Sequence, residues 1–153
     1  MFKEIRSNPI EKSYWYAVPA ILYTILIFGL SSLEQSEIPR VGIRFFDKFV
    51  HFLEYGIYAY LLMLAARFSR FLRPIRYAVV FSLVWGLFYA GTDEVHQLFV
   101  PGRDCSFFDF VADAVGIVLG IWIFYVLRDK AFIRKKPFSS AKDQTVANDE
   151  ETS

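Results

Sequence analysis

Cysteine is almost absent from this chain of 153 residues: Cys105 is the only one. A lone cysteine excludes an intrachain disulfide, and without a CxxC or a Cys/His pair there is no zinc-finger arrangement to build. Cys105 itself reads as a small loop residue rather than a reactive thiol. An excess of one charge sign is also missing. The formal net charge is +1, so no broad basic surface remains to neutralise nucleic-acid phosphates. Internal repeats, heptad runs and glycine-rich phosphate loops are absent too. What the chain has in quantity is apolar surface. Its 55% hydrophobic and 19% aromatic content is too high for a typical small soluble domain. The charged residues gather in blocks between apolar runs, as in a multi-spanning membrane protein.

Four segments, at about 14–30, 48–66, 77–98 and 108–127, have the length and apolarity of membrane-crossing helices. They predict an all-α, four-helix transmembrane bundle. Tyr14, Trp15 and Tyr16 open the first span as an interfacial aromatic belt. Pro19 falls in its first turns, where a missing N–H does little harm. Lys3, Arg6 and Lys12 give that span the basic front of a signal peptide. Its exit, Gly29, Leu30, Ser31, Ser32, Leu33, offers no small-x-small cleavage site, so it reads as an uncleaved span. The connection 31–46, with Pro39 and Gly42, reads as a short polar loop at the membrane surface.

Basic residues set an orientation. The connection between the second and third spans carries Arg67, Arg70, Arg73 and Arg76 with no acid. The C-terminal exit carries Arg128, Lys130, Arg134, Lys135 and Lys136. The other two loops hold Arg40 and Arg44, then Arg103 alone. The positive-inside rule then puts both termini in the cytoplasm and the two sparse loops outside. The organisation that follows is a cytoplasmic segment 1–13, a membrane domain 14–127 and a cytoplasmic tail 128–153. That tail is basic first and then, from about 139, polar and without apolar pattern, which reads as disorder.

Against this apolar background the ionisable residues near helix ends stand out, because such groups are costly in a membrane and are functional candidates by default. Asp47, His51 and Tyr55 recur every four residues on one face of the second span, with Glu54 beside them. Glu54 lies about two turns inside that helix, so it must be neutral, paired or in a wet cavity. The third span ends with Tyr89, Asp93 and Gln97 at the same spacing, His96 adjacent, and Glu94 turned roughly 100° away. The fourth begins with Asp109 and, one turn deeper, Asp113, followed by Gly116 and Gly120 at the small-xxx-small spacing of close helix packing. Between them Pro101 and Gly102 read as a tight turn that holds Arg103 over the outer mouth. Arginine there suits a carboxylate or phosphate, to which its fork donates two parallel hydrogen bonds.

Each of these residues also has a plainer role open to it. Asp47 and Asp109 can be N-caps. His51 can be an interfacial residue bonded to Asp47, Glu94 can face headgroups, and Arg103 can pair with Asp93 or Asp109 to close its loop. The tyrosines and phenylalanines of the spans are packing and belt residues before they are a ligand cage. Acids and histidines at three helix ends on one side, with Glu54 and Asp113 at depth, are what these plainer roles leave unexplained.

The same residues resemble the motifs of the VanZ-like family. Asp47, Lys48, His51 and Tyr55 match its D-K-x-x-H-x-x-x-Y signature. Asp93, Glu94, Gln97, Pro101 and Arg103 match its D-E-x-x-Q…P-x-R motif. Asp109, Asp113, Gly116 and Gly120 match D-x-x-x-[ND]-x-x-G-x-x-x-G, with Asp113 where many relatives carry Asn. Leu30, Ser31 and Ser32 are also similar to the exit of the family's first span. The resemblance runs from the first span to Gly120. It implies a small multi-pass protein of the bacterial inner membrane, acting in the cell envelope, in a family whose namesake is associated with resistance to teicoplanin.

Three functions fit these readings. In the first, an outward-facing polar site of Asp47, His51, Glu54, Tyr55, Asp93, Glu94, Gln97, Arg103, Asp109 and Asp113 binds an envelope ligand. That ligand is a lipid-linked precursor or a glycopeptide. In the second, the chain is a membrane-embedded enzyme: Asp47, His51, Asp93 and Asp109 hold a divalent metal, or His51 is a general base oriented by Asp47. Arg103 then grips the phosphate or carboxylate of a lipid-linked substrate. In the third, Glu54 and Asp113 relay protons in a small transporter. Binding of an envelope ligand is the leading expectation. It requires Asp47, His51, Asp93, Gln97, Arg103 and Asp109 to lie within mutual reach.

Overall fold

The computed structural model describes residues 9–34, 36, 45–69, 72 and 74–134, with side chains from 15 to 127 within that set. Four α-helices, and no strand, make up the described residues: α1 (Pro9–Ser31), α2 (Phe46–Phe68), α3 (Ile75–Gln97) and α4 (Phe107–Arg134). The fold is all-helical, as the apolar runs predict. Three helices, Phe46–Phe68, Ile75–Gln97 and Phe107–Leu127, are long and apolar enough to cross a membrane, and α1 contributes a shorter apolar helix, Trp15–Ser31. Large apolar side chains such as Ile25, Val84, Phe88, Val118 and Trp122 are exposed on the outside of the bundle. A soluble monomer does not tolerate that much contiguous apolar surface, whereas lipid does. This is a membrane protein.

Helix ends differ from the sequence reading in ways that local chemistry explains. The first helix begins at Pro9, so Pro19 lies in its interior rather than in its first turns. Its N-terminal turns, with Glu11, Lys12 and Ser13, are polar but helix-compatible, and an apolarity criterion stops short of them. The last helix runs to Arg134, past the apolar limit at Leu127. The residue before α2 is Phe45, in the left-handed region at φ 66°, and no side chain caps that helix. Asp47 is therefore not the N-cap. Neither is Asp109: Ser106 fills that position on α4, its Oγ and carbonyl accepting from the Asp109 N–H at 3.3 and 3.0 Å. The polar loop 31–46 falls largely outside the described residues. So do Arg70 and Arg73, the tail from residue 135, and the N-terminal basic residues other than Lys12.

Within the bundle, α2 is central. It packs on α1, α3 and most extensively on α4, while α1 and α4 do not touch among the described residues. The α2–α4 seam is where glycine is required. A Cβ on Gly116 would collide with the Phe52 carbonyl, and one on Gly120 with the Gly56 carbonyl. The Gly116 and Gly120 spacing thus brings two backbones into direct contact at Phe52 and Gly56, the packing mode of small residues in membranes. Gly86 of α3 in turn receives Ile117 of α4, with 3.2 Å between the Ile117 Cδ1 and a would-be Cβ. Ile27, Tyr55, Tyr58, Ala59, Ala90 and Ile117 form the buried apolar core against which the site is set.

Candidate functional site

The core does not run apolar to both ends. At the end where α2 and α4 begin and α3 finishes, His51, Asp93, Glu94, Gln97, Asp109 and Asp113 are all buried, and Asp113 is wholly inaccessible. Three elements supply them: His51 from α2, the Asp93, Glu94 and Gln97 group from the last turn of α3, and the two aspartates from the first turns of α4. The turn that brings α4 back over α3 follows its chemistry. Pro101 and Gly102 occupy its centre, Gly102 takes φ 76°, and the Arg103 N–H returns to the Val100 carbonyl at 3.1 Å. A proline at the second turn position and a positive-φ glycine at the third are what a type II turn needs.

His51 meets Asp113. Its Nδ1 lies 3.1 Å from Asp113 Oδ1, and since a carboxylate accepts, the ring N–H donates there and Nε2 is left for another partner. Asp47, the partner expected one turn back on the same helix, is exposed and turned outward to the Lys48 ammonium at 2.9 Å. The correction has a physical cause. Gly116 pulls α4 against Phe52, so Asp113, one turn before it, arrives beside His51 from across the seam. Asp47 accordingly does not orient His51, and it stands outside the buried set.

Lys48 is the functional candidate that the sequence reading passed over as a site residue. Its Nζ also lies 2.8 Å from Asp109 Oδ1, so one ammonium joins the starts of α2 and α4. The signal was present: Lys48 is the second letter of the D-K-x-x-H pattern, and it is the only lysine or arginine in that motif.

Glu94 is buried rather than facing headgroups. Its Oε2 accepts the Ser106 N–H at 2.7 Å, tying the end of α3 to the start of α4, and its Oε1 is buried with no hydrogen-bond partner. Asp93, one residue earlier, receives Gln97 Nε2 at 3.4 Å. Helix periodicity alone would send one of these two acids outward. Both are buried, Glu94 where the start of α4 returns to it through the Ser106 N–H. Arg103 is half-buried, makes no ion pair with Asp93 or Asp109, and has an unpartnered Nε. Glu54 is also half-buried.

Below the charges lies a tyrosine layer. Tyr55, Tyr58 and Tyr89 pack with ring centroids 5.4 to 6.4 Å apart. The Tyr89 hydroxyl donates to the Thr24 carbonyl at 2.9 Å, and the Tyr58 hydroxyl accepts from Trp85 Nε1 at 3.2 Å. The Tyr55 hydroxyl is buried without a hydrogen-bond partner. His96 belongs elsewhere: it stacks on Phe28 and its Nε2 lies 3.0 Å from Ser32 Oγ, joining α3 to the exit of α1.

One set of side chains has the spacing of metal ligands. Donor atoms of His51, Glu94 and Asp109 lie within 4.8 Å of one another. The set expected from sequence, Asp47, His51, Asp93 and Asp109, does not form: Asp47 points away to Lys48, and the group with ligand spacing takes Glu94 in place of Asp93. The arrangement can present charge, hold a cation, and offer an imidazole backed by a carboxylate.

Neither a curated protein nor a solved structure matches this chain. The VanZ/LLP1 family model matches residues 3–128, a stretch that includes every residue of the polar cluster, and the chain therefore belongs to the VanZ/LLP1 family.

Proposed function

We propose that this VanZ-like membrane protein acts in the bacterial inner membrane by binding the phosphate or carboxylate head of an envelope ligand in its polar end. A lipid-linked precursor and a glycopeptide such as teicoplanin are the two ligand classes the reading covers. The supporting observation is the half-buried Arg103 at the mouth, with an unpartnered Nε beside acids buried on α3 and α4 and the buried His51 of α2. Arginine used only to close a loop would pair with Asp93 or Asp109, and it does not. A guanidinium with donors to spare is suited to a bidentate anion. The reading places both termini in the cytoplasm and the Pro101–Gly102 turn outside, following the basic residues.

Nanodiscs carrying the purified chain test it directly. A polyprenyl phosphate should bind at least tenfold more tightly than the matching polyprenol, and Arg103→Gln should remove that preference. Equal affinity for phosphate and alcohol would overturn phosphate recognition. For the glycopeptide class, cells producing the wild-type chain should tolerate more teicoplanin than cells producing Arg103→Gln.

The His51 and Asp113 pair favours a second reading, a membrane enzyme acting on the same class of ligand. A buried imidazole whose Nδ1 is fixed by a carboxylate and whose Nε2 is free has the form of a general base with its orienting group. Turnover of a lipid-linked phosphate that His51→Gln abolishes, with binding intact, would establish it.

A further inference from the structure

The polar end has an imbalance of sign. Asp93, Glu94, Asp109 and Asp113 are all buried there. The cations beside them are His51, Arg103 and Lys48, and Lys48 is already shared between Asp47 and Asp109. An anionic head entering this end would meet more carboxylates than cations. Two buried carboxylate oxygens, Glu94 Oε1 and Asp113 Oδ2, have no hydrogen-bond partner at all. Glu94 is only 3% exposed, so water does not compensate it, and buried polar atoms left without partners are costly.

We propose that His51, Glu94 and Asp109 hold a divalent transition-metal ion, with Asp113 as a positioning residue behind the imidazole. Each ligand comes from a different helix, and their donor atoms are already within 4.8 Å of one another. Ligands about 2.0–2.2 Å from a common ion stand roughly 3.4 Å apart in tetrahedral geometry, so a small side-chain closure completes the set. Each of the three has a suitable atom. His51 offers Nε2 because Nδ1 is engaged by Asp113, an arrangement in which a carboxylate fixes the tautomer of a metal-binding histidine. Glu94 offers Oε1, the unpartnered oxygen. Asp109 keeps Oδ2 while Oδ1 holds Lys48. One imidazole and two carboxylates suit Zn²⁺ or Mn²⁺ better than the all-oxygen preference of Ca²⁺ or Mg²⁺. Three protein ligands leave a position open, and an anionic head would fill it. That last step rests on the ligand-binding reading above, whereas the ion's own binding is measured without it.

The test uses the full chain, freed of any affinity tag, in nanodiscs, with Zn²⁺, Mn²⁺ and Co²⁺ as probes. Equilibrium dialysis with elemental analysis should find about one Zn²⁺ or Mn²⁺ per chain, and Co²⁺ should give a visible d–d band. Glu94→Gln and Asp109→Asn should each weaken binding at least tenfold. Asp113→Asn should weaken it about 10–100-fold with the Co²⁺ band shifted rather than lost, the signature of a displaced imidazole. Asp104→Asn, on the exposed turn, should change nothing. Binding far below one ion per chain, or equal affinity in Glu94→Gln and wild type, overturns the site. Should the variants fail to fold, thermal unfolding of the wild-type chain decides: a rise with Zn²⁺ that a chelator reverses supports the site, and an unchanged midpoint overturns it. Polyprenyl phosphate binding separates the two ideas. Lipid bound without an ion sinks only the metal site, and an ion bound without lipid sinks only the ligand reading.

Discussion

At the scale of the residue, the decisive contact is His51 with Asp113. Neither is exposed enough for water to replace a lost partner. Removing one member of a buried, hydrogen-bonded pair typically costs about 3–5 kcal/mol, since it strands the other. Asp113→Ala should therefore destabilise the bundle by about that much, read as a lower unfolding midpoint in detergent. Asp113→Asn, close in shape and able to accept the same hydrogen bond, should cost about 1 kcal/mol. Equal losses in the two variants would show that the pair contributes by volume alone. Lys48 is a milder case. Its side chain is 27% exposed and so partly screened, and Lys48→Met should cost about 1 kcal/mol or less. That these residues were candidates was legible in the sequence, because ionisable groups beside apolar runs are conspicuous. Their pairings were not. Four-residue spacing on one helix pointed His51 to Asp47, while its true partner sits sixty-two positions away across a seam that periodicity cannot describe.

Among elements, the helices themselves were the most readable part, because each is an apolar run bounded by charge. Their ends were less so. Polar residues such as Glu11 and Lys12 continue a helix as readily as they end a span, which is why α1 starts at Pro9. The choice between a site role and a headgroup-facing role for Glu94 was open for an element-level reason: helical geometry fixes its angle from Asp93, but not that the start of α4 comes back to bond it. The contact between α2 and α4 yields a sharper expectation. Any side chain at Gly120 would occupy the place of the Gly56 carbonyl. Overpacking of this kind typically costs about 1–3 kcal/mol, and here backbone rather than a flexible side chain must yield. Gly120→Leu should lose at least 3 kcal/mol or fail to accumulate. Gly29→Leu, where nothing lies within 4 Å, should behave as wild type. A Gly120→Leu chain with wild-type melting would contradict the closeness of the two backbones.

For the whole molecule, the lone cysteine reports which side of the membrane the polar end faces. Cys105 is exposed and lies on the connection between α3 and α4, one residue from the Ser106 that caps α4. In intact cells with a permeable outer barrier, a membrane-impermeant maleimide should label Cys105 without lysis. Labelling only after lysis would place the mouth in the cytoplasm and remove the envelope ligand from consideration. The fold gives such a site an unusual kind of rigidity. Where side chains meet side chains, a cavity can relax by a change of rotamer. Where two main chains touch, the spacing between His51 and Asp113 is inherited from peptide geometry, and there is nothing softer to absorb a misfit. Selection on this chain can alter what lines the mouth far more freely than it can alter the gap beneath it.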